Sequence, residues 1–112
     1  MKCIHLPSKK ELAGHVQPAR SFWARLKGLM GCKNLALGSG LLLDPCPQIH
    51  TCFMRFPIDV IFLDKTNHVV AVLENMPPWR MSKFYVKSRC TLELPGGSLQ
   101  GCVHVGDELS FN

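Results

Sequence analysis

The stretch "CPQIHTCFM", residues 46–54, brings two thiols, an imidazole and a thioether into a short span. Soft donors of this kind suit Cu(I) or zinc, and a cysteine beside a histidine has the residue types of an activated nucleophile. Spacing argues against a metal. In an extended strand residues 50, 52 and 54 share a face, but they spread over about 13 Å. No Cys-x-x-Cys pair is present, so Cys46, His50 and Cys52 are the candidate ligands for a metal that is not expected. A nucleophilic Cys–His pair is equally easy to meet by chance, with six cysteines and five histidines in 112 residues.

Two carboxylates raise a sharper question. Asp59 interrupts "PIDVIFLD" and Glu93 interrupts "TLELP", both strongly apolar. A carboxylate is costly to bury unless something satisfies it. If the two strands lie side by side, Asp59 and Glu93 could share one polar pocket with His50 and Met54, and Arg25 or Arg89 could supply the countercharge. Such a pair could work as acid and base. The reading adopted is a binding role, in which the carboxylates tie the fold or contact a small polar ligand. The runner-up is an enzyme using Asp59, Glu93 and His50, or a Cys–His pair. Phosphate-binding loops, His-Glu-x-x-His and Gly-x-Ser-x-Gly are all absent from the sequence, and no cofactor is expected.

The elements that must position these residues are short. Ser21 can cap a helix in "FWARLKGLMG", where Phe22, Leu26, Leu29 and Met30 follow a three-to-four-residue spacing and Gly31 is a natural stop. "KCIHL" and "AGHVQ" read as strands. "LLLD", "QIHTCFMRF", "IDVIFLD", "VVAVLE" and "CTLEL" follow as further strands, with "KFYVK" a weaker one and "VGDELSF" a closing one. "DKTNH" makes a hairpin of its two neighbours. Pro57 marks an edge, bend or break. Many short strands with frequent turn signals predict a mainly β, barrel-like or jelly-roll-like single domain over residues 1–112, with one short covering helix near residues 21–31.

Composition narrows the function classes. The formal charge is +5, but the basic residues are scattered. A nucleic-acid-binding barrel therefore stands third, with weak and sequence-blind binding. No apolar run is long enough for a membrane span, and the apolar patch of "MKCIHLPSKK" is too short for a signal peptide. A processed leader aside, the chain reads as cytoplasmic with reduced thiols. Its partner is an unknown small molecule or protein, and its oligomeric state is not legible.

In order along the chain, "RLKGLMG", "IHTCFMRFPIDVIFLD", "VVAVLENMPP", "TLELPGGS" and "GCVHVGDELSF" resemble the domain of unknown function 192 family, over about residues 20–111. The resemblance implies a mostly β domain and supplies no activity. The motif positions it carries over include Arg25, Gly28, Leu29, Met54, Asp59, Glu93, Gly97, Gly106 and Asp107.

Overall fold

The continuous apolar character of "IDVIFL" and "CTLELP" has a direct structural cause. In the computed structural model these are β5 (Ile58–Leu63) and β7 (Cys90–Pro95), neighbours at the middle of one sheet, buried at every position. A strand covered on both faces has no solvent side on which to place alternating polar residues. The structure describes the backbone of residues 1–112 and all side chains except those of Phe22, Trp23 and Leu26.

Around them the chain runs β1 (Cys3–His5), β2 (Lys10–Ala13), β3 (His15–Ala19), α1 (Phe22–Lys27), β4 (Ser39–Leu43), then β5, β6 (Val69–Met76), β7 and β8 (Leu109–Phe111). Five strands form a large sheet in the order β3-β4-β7-β5-β6, and three form a small one in the order β2-β1-β8. The β3–β4 pair is parallel and the other pairs are antiparallel. The fold is mainly β, as the sequence predicts, but β3 and β6 remain as edges and the barrel does not close.

The large sheet separates two cores. On one face Ile61, Leu63, Leu92 and Leu94 meet Cys3 and Leu109 of the small sheet. On the other, Ile58, Val60 and Phe62 pack with Leu29, Cys46, Ile49 and Met54, which come from irregular segments. Fully burying a side chain such as Phe62, Ile61 or Leu92 contributes about 1.5–3 kcal/mol each, so these layers drive folding.

Three sequence expectations need correction. The stretch 48–56 is not a strand; it turns, and only His50 makes an isolated bridge, to Met81. Pro47, Phe53 in the left-handed region and Pro57 break any regular ladder there. "KFYVK" is likewise irregular. The helix is shorter than 21–31: Ser21 accepts from Ala24 N as its cap, and Gly28 ends it at φ +49. Of its expected apolar face, Phe22 and Leu26 fall outside the described side chains, while Leu29 is buried.

All six cysteines are free thiols. Burial pushes Cys3 up to about 12 and Cys90 up to about 11. Cys102 alone is exposed. A thiol reagent added to native protein is therefore expected to modify Cys102 rapidly, with Cys3 and Cys90 reacting only at the rate of unfolding. Rapid loss of Cys3 or Cys90, read by peptide mass, would contradict this packing.

Candidate functional site

Asp59 and Glu93 do not share a pocket. In the β5–β7 register Asp59 stands opposite Leu94, and Glu93 opposite Val60. Side chains opposite each other share a face and successive ones alternate. Asp59 therefore points into the core with Ile61 and Leu94, and Glu93 into the core on the far side of the sheet. The shared pocket and the enzyme built on Asp59, Glu93 and His50 fail for that reason.

Asp59 is fully buried, and both its oxygens accept hydrogen bonds. Ile58 pairs with Met76 and Val60 with Leu73, so β6 carries an extra residue opposite Asp59. Such a bulge leaves an amide unpaired. Asn75, held at φ +52, turns its N–H to Asp59 Oδ1 at 2.8 Å. Gly97 N, from a residue at φ +84, reaches the same oxygen at 3.3 Å, and Leu99 N reaches Oδ2 at 2.9 Å. The donors are backbone amides alone. Arg25 and Arg89 play no part in satisfying it.

Glu93 is the opposite case. It is 3% exposed, and its Oε1 has no hydrogen-bond partner among the described residues. Burial pushes its carboxyl up from 4.5 to about 8, because desolvation disfavours the charged form. At neutral pH it is mostly a protonated acid, able to donate as well as accept. A Cβ at Gly28 would stand 3.7 Å from Oε1, which puts the carboxyl under the end of α1.

Arg25 hangs from that helix. Its Nη1 donates to Pro45 O at 2.9 Å, yet its Nε is buried without a partner. Cys46 is within electrostatic reach of both groups. Its thiol is pushed up chiefly by burial, partly offset by Thr91, with Glu93 raising it and Arg25 lowering it further. Thr91 Oγ1 donates to Cys46 O at 2.7 Å and fixes the turn. Two buried polar atoms with unmet hydrogen-bonding capacity, Glu93 Oε1 and Arg25 Nε, thus occur near the end of α1 among the described residues. Native proteins leave few such groups unsatisfied, and each calls for a reason.

An opening lies on Glu93's face of the sheet, although Glu93, Arg25 and Cys46 do not line it. A cleft of about 250 Å³ is lined by His15, Gln17, Leu29, Leu35, Ser39, Gly40 and Leu41. Leu41 is the β4 residue paired with Glu93, so it shares Glu93's face of the sheet, and Leu29 follows Gly28 by one residue. Gly40 keeps β4 close to β7, since a Cβ there would come within 2.8 Å of Leu94 Cδ2 and 3.2 Å of Glu93 O.

The remaining candidates disperse. His50 Nδ1 accepts from Cys52 N at 3.2 Å, and Cys46 Sγ donates to Gln48 O at 3.0 Å, so the Cys46 thiol is committed to a carbonyl and His50 Nδ1 to a backbone amide. No group of three or more His, Cys, Asp or Glu able to hold a metal occurs among the described residues. Met54 is core. Arg89 is exposed and faces Asp44 at 3.5 Å.

One constellation escaped sequence reasoning. His5 Nδ1 meets Ser8 Oγ at 2.7 Å, and His5 Nε2 meets Asp107 Oδ2 at 2.8 Å. Asp107 also accepts from His104 N at 2.9 Å, and Ser8 Oγ from Lys10 N at 3.3 Å. Each member is thus committed to a turn, and the set ties β1 to the segment before β8. Only the Gly106–Asp107 turn was visible in the sequence, because the link spans almost the whole chain.

The family model described as "Uncharacterized ACR", domain of unknown function 192, matches residues 4–111. The chain belongs to that family. DUF192 relatives include a UPF0127 protein of Pyrococcus furiosus, 36% identical over 97% of both chains. Another is a UPF0127 protein of Thermococcus sibiricus, 34% identical over 96% of this chain and 73% of the relative. A crystal structure of a protein of unknown function from Novosphingobium aromaticivorans shares the fold, with a TM-score of 0.78 at 20% identity over 99% of this chain and 93% of that one. In the fold Gly28 lies against Glu93, and Gly97 donates its N–H to Asp59.

Proposed function

We propose that this chain is a single small binding domain, with Glu93 and Arg25 as the polar centre that receives a small ligand. The observation that carries this reading is two buried atoms, Glu93 Oε1 and Arg25 Nε, without a partner among the described residues, with a cleft lined by Leu29 and Leu41 on Glu93's face of the sheet. Leaving a buried polar group unmade costs about 1–3 kcal/mol, and a ligand that supplies both hydrogen bonds recovers that cost. Asp59 is no part of the centre, because both its oxygens already accept backbone amides.

A binding role fits better than catalysis. A thiol nucleophile needs a base within hydrogen-bond reach, whereas the Cys46 thiol donates to Gln48 O and His50 Nδ1 accepts from the backbone of Cys52. Free thiols suit a reducing compartment, so we place the domain in the cytoplasm. No helix is long and apolar enough to cross a membrane.

Native mass spectrometry of untagged protein tests the proposal. The wild-type chain is expected to retain a small organic molecule that both Glu93→Gln and Arg25→Gln release while remaining folded by circular dichroism. The same molecule held by both variants would place its site elsewhere.

A further inference from the structure

Independently of that site, the irregular layer carries a second surface. Its two halves, residues 45–57 and 77–88, pair along their backbones: Thr51 N donates to Arg80 O at 2.8 Å, Trp79 N to Thr51 O at 3.0 Å, and Ser82 N to Ile49 O at 2.9 Å. At the join Phe53 and Trp79 both adopt φ +64, a left-handed conformation that is unusual for bulky residues. Strain of this sort is held by its surroundings and collects at functional positions. Here it does not bury the rings. Phe53 and Trp79 touch, with centroids 4.7 Å apart, yet remain 59% and 57% exposed. Met81 and Phe84, in the same segment as Trp79, are 70% and 61% exposed.

Charge on this lobe has one sign. No acidic residue occurs between Asp44 and Asp59, or between Glu74 and Glu93. Arg55, Arg80, Lys83 and Lys87 are all exposed within those segments.

We propose that the lobe docks the protein on an anionic phospholipid surface. Phe53, Trp79, Met81 and Phe84 enter the interfacial zone, and Arg55, Arg80 and Lys83 lie against the headgroup phosphates. Tryptophan is favoured at such boundaries because one part of its ring is apolar and its N–H is not. Lysine and arginine can lay their stems on the apolar surface while their charges meet the lipid. Single-stranded nucleic acid fits the same charge less well. Base stacking needs open aromatic faces, whereas Phe53 and Trp79 lean on each other at 60° and Met81 offers no ring.

Vesicle binding decides the matter. Trp23→Phe leaves Trp79 as the only tryptophan of the two. On vesicles of phosphatidylserine and phosphatidylcholine its emission should shift to the blue and be quenched by brominated acyl chains, with little change on pure phosphatidylcholine. Arg80→Gln should lower the partition coefficient about fivefold, and Phe53→Ser combined with Met81→Ser should abolish sedimentation with vesicles while circular dichroism is unchanged. Absence of binding to anionic vesicles at low salt, or binding that the double substitution leaves intact, overturns the proposal. Tighter binding to oligo-dT than to those vesicles, with Trp79 quenched, assigns the lobe to nucleic acid instead and also overturns it.

Discussion

Asp59→Ala is expected to lower the unfolding free energy by about 4 kcal/mol, because it strands buried backbone donors that have no other acceptor. Those donors are Asn75 N, Gly97 N and Leu99 N, which meet the carboxylate within 2.8–3.3 Å. They belong to the bulge in β6 and to the segment leaving β7, so the substitution loosens both neighbours of β5 at once. Asp59→Asn keeps the shape but turns an amide nitrogen toward at least one N–H, and should cost about half as much. Urea unfolding of the three proteins, compared at constant m-value, measures this. An alanine variant as stable as wild type would show that water or a rearranged bulge replaces the carboxylate.

The second large effect comes from Glu93, and its sign is opposite to that of most acidic residues. Burial holds the folded-state carboxyl near 8, against 4.5 when solvated. Between those values the unfolded chain ionises while the folded chain keeps its proton, so stability falls as pH rises. The contribution is fully present below about pH 4.5, declines through neutral pH and is gone above about pH 8. Its ceiling is several kcal/mol, at roughly 1.4 kcal/mol per pH unit. Asp64 and Asp107 act elsewhere. The His68 amide, for Asp64, and the His5 ring, for Asp107, hold these carboxyls below the usual range, so their contribution is lost on acidification, outside this window. Urea midpoints of wild type and Glu93→Gln should therefore cross between pH 5 and 9, with the variant the more stable at the alkaline end. Parallel curves would contradict a desolvated carboxyl.

Much of the fold was legible because its strongest elements announce themselves locally. "IDVIFL" and "TLEL" are apolar enough to identify central strands, and "DKTNH" fixes the hairpin between β5 and β6, with Asp64 Oδ1 accepting from Thr66 N and His68 N. The stretch 48–56 misled because its apolar residues serve the second core from a turning backbone, as Met54 and Ile49 show. Apolar content alone does not separate a strand from an irregular layer.

For the site, Glu93 and Arg25 were recognisable as residues that break an apolar pattern or could offer a countercharge. What the sequence could not supply was register. A shift of one residue moves a side chain to the other face, and that single step separates Asp59 from Glu93. The burial of Asp59 followed from its neighbours, whereas its amide donors depended on a bulge in a different strand. His5, Ser8 and Asp107 were hidden for a similar reason, since only the closing pair of β1 with β8 brings them together.

Glu93 is a desolvated acid without a partner among the described residues, and its own titration tests this most directly. Carbon-13 detection of the Glu93 side-chain carboxyl, assigned by its disappearance in Glu93→Gln, should give a midpoint near 8 in the native protein. Addition of a ligand that hydrogen-bonds the carboxyl should displace that midpoint. A native midpoint close to 4.5 would mean that water or a cation already satisfies Glu93, and the proposed binding centre would not exist.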